Sequence, residues 1–347
     1  MGLLTDLRID WQRRFGRRQP LPFTRVLEAP RRILCCPAQA DGELLMALPA
    51  VRALRRHFDD SLLVLLIDDR KRNLWWFDDE VDEIIDFRPD QLRGARSREF
   101  RRLARLIGQK QFDLLVDLDH RPHQLLSYLF ARAGIAVRFG VRFPGDEPFK
   151  NFAIRPAGLP ADEVERNTAM VRQLGARRAE HFIHWPRPMI SEGKREFRDR
   201  FQQDLAGGAA VAVEAGAWRR PDLLRFLRDA ASFPAIRPIL LNLAEPLDAA
   251  AAPQPIVYNS LSTVELAEIL RHCQAFIGAK NDDFSVAYFL KVPALIAVAR
   301  DERGLPAPDE HLTIVRCRGR LEFPHQQARQ LLAELSSRVK GRRRADE

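Results

Sequence analysis

No stretch of this chain is apolar for anything near the ~20 residues that a helix needs to cross a bilayer, so a helical membrane span is excluded. The opening MGLLTDLRIDWQRRFGRR lacks the continuous apolar core of a secretory signal. It begins Met-Gly, but Asp6 stands where myristoylation wants Ser or Thr. Cysteine is scarce, at four residues, with Cys35 beside Cys36, Cys273 and Cys317 apart, and no CxxC pair. That pattern excludes a disulfide framework and reads as buried thiols in a reducing compartment. No GxGxxG follows any apolar run, which removes the main argument for a dinucleotide-dependent oxidoreductase. Zinc-finger and RNP-type motifs are missing too, and no helix carries a dense basic stripe, so nucleic acid is not an expected partner.

What is present is a soluble composition, 46% hydrophobic and 30% charged over 347 residues, enough for two domains with proper cores. The net charge of +9 is unevenly placed. Residues 1–32 carry eight arginines against three acids, and residues 338–347 carry five basic residues against two acids. The body between them is therefore nearly neutral. Basic ends on a neutral body suit adhesion to an anionic surface. Leu3, Leu4, Leu7, Ile9, Trp11 and Phe15 would give the N-terminal segment an apolar face for a membrane interface. A solvated tail is the competing reading.

Apolar runs of strand length alternate with amphipathic runs of helix length throughout. In the first half, strands are expected at Ile33–Ala38, Ser61–Asp68, Glu83–Phe87, Phe112–Leu118 and Ala136–Val141. Helices are expected at Glu43–His57, Ser97–Gln109 and His123–Ala133. Several strands are apolar without alternation, as when helices cover both faces of a parallel sheet. Residues 176–190, with two prolines, read as a linker. A second series follows, with strands at Ala209–Val213, Ile236–Leu243, Ile256–Tyr258, Ala275–Gly278, Ala294–Val298 and Leu312–Arg316. Its helices fall at Glu192–Leu205, Pro221–Ser232, Val264–Cys273, Phe284–Leu290 and Pro324–Lys340. The expected fold class is α/β, two doubly wound Rossmann-like domains facing a central cleft. The expected boundaries are a basic extension over 1–30, an N-terminal domain over 31–180, a C-terminal domain over 181–318, and a closing helix and basic tail over 319–347.

The first strand runs into Asp41-Gly42-Glu43 and then at once into a helix. Ligands of parallel α/β sheets sit where such turns open. Two carboxylates there can serve as a base or hold a ligand, or can merely favour a helix N-terminus. The stretch resembles the strand, Gly-Asp turn and Leu-Pro-Ala helix of bacterial glycosyltransferase family 9, the lipopolysaccharide heptosyltransferases, here as Gly42-Glu43 and Leu48-Pro49-Ala50. Similar stretches are Val81–Ile85, Phe112–Leu118, Arg138-Phe139-Gly140, Glu163–Asn167 with Leu174-Gly175, Ser260–Ala267, Phe276-Ile277-Gly278 and Pro293–Ala297. Together they spread over most of the chain.

The resemblance implies the two-domain GT-B arrangement, with an N-terminal acceptor domain and a C-terminal nucleotide-sugar domain. It implies no metal and no cofactor, the nucleotide-sugar being a substrate. The implied reaction is inverting transfer of a heptose-like sugar to a lipid-linked or other envelope glycan acceptor. The implied location is cytoplasmic, peripheral at the inner face of the bacterial inner membrane. Glu43 stands at the family's catalytic aspartate, with Asp41 as a second candidate base; Gly42, Asp119 and Arg121 are the implied acceptor side.

The donor side departs from the family. Its Asp-Ser/Thr-Gly loop and following histidine are replaced by Lys280-Asn281-Asp282-Asp283-Phe284-Ser285, with Lys280 at the acid and Ser285 at the histidine. Lys280 is a phosphate contact on this reading, or Asp282 takes the acid's role after a small shift. Asn281-Asp282-Asp283 also reads as a helix N-cap. Trp218 occupies the place of a phosphate-binding lysine, leaving Arg219 and Arg220 to supply charge or to face solvent. Glu214 adds an acid at a strand end. These departures keep a second class open, a catalytically silent glycosyltransferase-like scaffold that binds an envelope glycan or an assembly protein.

Overall fold

The computed structural model describes residues 23–40, 42–75, 80–144, 149–176, 192–205, 208–247, 255–302, 304–306, 308–318 and 321–346. The chain divides into two compact units between residues 182 and 183. Of the basic N-terminal segment only its end is described, as the short helix α1 (Phe23–Glu28). The expected linker, beyond Ala176, and Asp41 lie outside the described residues.

The first unit is built on six parallel strands: β1 (Arg32–Cys36), β2 (Leu62–Asp68), β3 (Glu83–Phe87), β4 (Leu114–Asp117), β5 (Val137–Val141) and β6 (Phe152–Ile154). Their order is β3-β2-β1-β4-β5-β6. Leu34, Cys36, Val64, Leu66 and Leu115 form a core with Phe100, Leu103 and Ile107 of α3 (Arg98–Lys110) and Tyr128, Leu129 and Phe130 of α4 (Gln124–Arg132). Ile33 and Cys35, on the alternate face of β1, are equally buried. That burial on both faces explains why the strands read as unbroken apolar runs. Two further helices, α2 (Leu48–His57) and α5 (Glu163–Arg172), pack against each other.

The helix expected from Glu43 starts later. Glu43 and Leu44 lie in a turn, Leu45–Ala47 form one 3₁₀ turn, and α2 begins at Leu48. Pro49 sets that start, because its missing N–H costs nothing in the first helical turn.

The second unit repeats the plan with β7 (Ala209–Glu214), β8 (Ile236–Leu241), β9 (Ile256–Tyr258), β10 (Cys273–Ala279), β11 (Ala294–Ala299) and β12 (Leu312–Cys317). The order is β12-β11-β10-β7-β8-β9, again all parallel. Counted from the first strand of each unit, the two sheets have one order, the 3-2-1-4-5-6 of doubly wound dinucleotide-binding folds. Helices α6 (Glu192–Leu205), α7 (Arg220–Ala231), α8 (Thr263–His272), α9 (Asp282–Phe289) and α10 (His325–Asp346) complete it. Val211, Val213, Ile277 and Leu295 pack with Phe226 and Leu227 of α7, Phe323, and Leu332 of α10. The four cysteines are free and buried.

Strand order reverses between β1 and β4 in the first unit and between β7 and β10 in the second. Open parallel sheets bind ligands at such switch points, outside the carboxyl ends of the strands.

Candidate functional site

In the first unit the switch point is ringed by charge. The turn after β1 needs a left-handed residue, and Gly42 supplies it at φ 74°. This delivers Glu43 to the strand ends with 6% of its surface exposed. From the end of β4 come Asp117 and Asp119, both buried. The Arg121 guanidinium joins the two acids, 2.9 Å from Glu43 Oε2 and 3.1 Å from Asp119 Oδ1. His123 Nε2 sits 2.9 Å from Asp119 Oδ2. Burial alone would raise the Asp119 carboxyl, but the bonds from His123 and Arg121 outweigh it and bring it down to about 2. The same bond raises His123 above the usual histidine range.

Behind this ring, Lys150 Nζ lies 2.9 Å from Asp117 Oδ2 and donates to the Val141 carbonyl at 3.0 Å. Burial lifts the Asp117 carboxyl, with Lys150 opposing. Gly140 on β5 lets the strands close here, since a Cβ would stand 3.1 Å from both Asp117 Cβ and its carbonyl oxygen.

Of the residues read from sequence on this side, the structure brings Gly42, Glu43, Asp119 and Arg121 together. It adds His120, His123, Lys150, Glu163 and Arg166, which sequence reasoning passed over as site residues. The visible signal was the run Asp117-Leu118-Asp119-His120-Arg121-Pro122-His123, dense in titratable groups just past a strand. Glu163 and Arg166 reach the site through the packing of α5 on α2, and Asn167 Nδ2 donates to the Met46 carbonyl at 3.2 Å.

In the second unit the switch point holds acids. Glu214 ends β7, and its Oε2 accepts from the Ala279 backbone N–H at 3.2 Å. Burial pushes this carboxyl up to about 8; bonds from Ala279 and Asn281 oppose the rise and the Asp283 charge adds to it. Burial and neighbouring Asp282 push Asp283 up to about 6, opposed by a 2.8 Å bond from Asn242 Nδ2. Asn281 is the N-cap of α9, its side-chain oxygen accepting from Phe284 N–H at 2.9 Å, so the capping reading holds. Ser285 is buried and donates to the Asn281 carbonyl at 3.2 Å, supporting the helix start. Lys280 Nζ lies 3.1 Å from Glu302 Oε1. Asp282 opens α9.

Arg219 and Arg220 stand exposed at the start of α7, which follows β7. Trp218 takes no part on the surface. It is buried, edge-on to Phe323 at 5.1 Å, as part of the core.

The chain's fold matches solved glycosyltransferases across most of its length. A glycosyltransferase family 9 protein from Veillonella parvula aligns with TM-score 0.66 at 17% identity, covering 84% of this chain and 87% of that one. The E. coli ADP-heptose lipopolysaccharide heptosyltransferase II aligns with TM-score 0.65 at 18% identity, covering 90% and 99%. The E. coli heptosyltransferase WaaC, solved with ADP, aligns with TM-score 0.65 at 15% identity, covering 88% and 99%. The chain therefore has the two-domain α/β GT-B fold of these structures. No protein-family model and no curated protein matches it.

Proposed function

We propose that this protein is a glycosyltransferase of the heptosyltransferase type, moving a sugar from a nucleotide-sugar to a lipopolysaccharide or other cell-envelope glycan acceptor. The observation that carries the reading is Glu43, delivered by a left-handed glycine to the switch point of the first unit, in a chain whose fold follows heptosyltransferases over most of its length. In the reaction, Glu43 takes the proton of an acceptor hydroxyl. The hydroxyl oxygen attacks the anomeric carbon as its bond to the nucleotide diphosphate breaks, with inversion. Gly42, Asp119 and Arg121 form the acceptor side, and Arg121 keeps the Glu43 carboxylate oriented. Asp41 is the second candidate base.

On the donor side, Arg219 and Arg220 open a twelve-residue helix whose N-terminus attracts anions. With Lys280, they stabilise the leaving diphosphate. Asn281, Asp282 and Ser285 shape that loop. The acids nearby oppose a diphosphate less than their number implies, because Glu214, at about 8, is protonated at neutral pH. No metal or cofactor enters this scheme. Among the described residues no helix is long and apolar enough to cross a membrane, and the basic ends would hold the protein peripherally on an anionic surface at the cytoplasmic face.

The test is nucleotide release from ADP-, GDP- and UDP-sugars in the presence of envelope glycan acceptors. One donor should be turned over selectively by the wild type and not by Glu43→Gln. Equal turnover by Glu43→Gln and Asp41→Asn would refute the assignment of the base.

A further inference from the structure

We propose that Asn167, on α5, is a positioning residue for Glu43, supplying from outside the turn a hydrogen bond that the turn's own sequence denies it. After Glu43 the backbone winds as a 3₁₀ turn, in which each carbonyl is taken by the N–H three residues on. The Glu43 carbonyl accepts from Met46 N–H at 3.1 Å, the Leu44 carbonyl from Ala47 N–H at 3.2 Å, and the Leu45 carbonyl from Leu48 N–H. Next in the series is the carbonyl of Met46, whose donor would be residue 49. That residue is Pro49, which has no N–H. The α-helical ladder opens one residue later, at the N-cap Ala47. Met46 is buried, where a carbonyl without a partner is costly. Asn167 Nδ2 takes the missing place, donating to that carbonyl at 3.2 Å.

Asn167 is suited to this by where α5 holds it. The residue is buried, and its helix, N-capped by Asp162, packs on both the 3₁₀ turn and α2. The link runs from Asn167 to the Met46 carbonyl, and from the Met46 N–H to the Glu43 carbonyl. Arg121 orients the Glu43 carboxylate, and Asn167 steadies the backbone that carries it. Neighbouring Thr168 is equally buried but turns its hydroxyl back on its own helix, to the Val164 and Glu165 carbonyls at 3.0 and 2.9 Å. A general base must come within ~2.6–3.2 Å of the group it deprotonates, and a misplacement of ~1 Å can cost ~10²-fold in rate. That consequence for rate rests on the glycosyl-transfer reading; the hold on the turn does not.

The experiment measures kcat and KM of the full-length protein with the nucleotide-sugar it turns over, for Asn167→Ala and Thr168→Val beside the wild type. Circular dichroism checks folding, and Asn167→Asp, of the same size but without the donor, replaces Asn167→Ala if that variant does not fold. The Asn167 variant should lose at least about tenfold in kcat while KM for the donor stays within about twofold, and Thr168→Val should match the wild type. Pro49→Ala restores a backbone N–H at the missing position, so the Pro49→Ala/Asn167→Ala pair should recover most of the lost rate. Wild-type kcat in Asn167→Ala, the same loss in Thr168→Val, or no recovery in the pair would overturn the assignment. Amide hydrogen exchange over residues 43–48 separates it from the glycosyl-transfer reading. If the wild type turns over no nucleotide-sugar, that reading falls and exchange alone decides. Faster exchange there in Asn167→Ala, and not in Thr168→Val, upholds the hold on the turn; equal exchange in all three proteins overturns it.

Discussion

Glu43 shows how much one side chain depends on its backbone. The glutamate carries its carboxylate one methylene further than an aspartate would, and a general base must reach ~2.6–3.2 Å from its proton. Gly42 turns the chain early and Arg121 grips the carboxylate, so the longer side chain is held rather than left to wander. Glu43→Gln should lower kcat by roughly 10²–10⁴-fold, the usual worth of a general base. Stability should stay within about 1 kcal/mol, because Arg121 keeps Asp119 as a partner at 3.1 Å. Turnover kinetics and thermal melts measure the two effects side by side.

Glu214 gives a pH dependence whose sign is fixed. Its carboxyl sits at about 8 in the folded chain against an ordinary 4.5, so between those values the folded state holds a proton that the unfolded state releases. Its unfavourable contribution is absent below about pH 4.5 and complete above about pH 8. Asp283, raised to about 6, adds to the lower part of the window. The melting temperature should therefore fall from pH 5 to pH 8.5 and fall less in Glu214→Gln. A wild-type profile that is flat, or that matches the variant's, would show that Glu214 ionises normally.

At the level of elements, the Asp117–Lys150 pair ties the end of β4 to the carbonyl of Val141 on β5 and to the segment entering β6. Both side chains are buried. Lys150→Met would strand the Asp117 carboxylate, and breaking a buried pair typically costs about 3–5 kcal/mol. Denaturant unfolding should show a loss of that size, and a loss below about 1 kcal/mol would mean that Asp117 takes up a proton at little cost.

The elements legible in the sequence were those whose burial is written in apolar residues. Leu62–Asp68, reading LLVLLID, is one, with six of its seven residues buried. Three elements escaped, the six-residue helix α1 among them. β6 is a three-residue, half-buried edge strand, too short to show a period. α5 buries Glu163, Arg166, Asn167 and Thr168, so the face it packs inward is largely polar and leaves little apolar stripe to read. The missed part of the site has the same origin. Glu43 announced itself through a strand, a glycine and a helix, whereas Glu163 meets it only because α5 folds back on α2. The capping role of Asn281 was legible because an N-cap is a local affair; the burial that raises Glu214 depends on the meeting of β7 and β10 and was not.

Across the whole molecule, one strand order is used twice, and each copy brings a different chemistry to its switch point. The first gathers the Glu43 and Asp119 carboxylates with arginine and histidine around them. The second sets exposed arginines at a helix start near a largely protonated acid. Most of the net charge of +9 is carried by neither unit's body but by the two ends of the chain. Removing residues 1–22 and truncating after residue 337 should lower co-sedimentation with anionic phospholipid vesicles, leave neutral vesicles unaffected, and weaken the salt dependence of binding. Unchanged partitioning would exclude the ends as the anchor.

The central claim is that the second unit binds a nucleotide-sugar although Asp282 and Asp283 open the helix that follows β10. Calorimetry of the purified protein against ADP-, GDP- and UDP-sugars and their free nucleotides measures this directly. Selective, saturable binding of one donor, weakened by Arg219→Ala or Arg220→Ala, is the predicted result. Silence across the whole panel would contradict it and leave a glycosyltransferase fold serving as a non-catalytic scaffold.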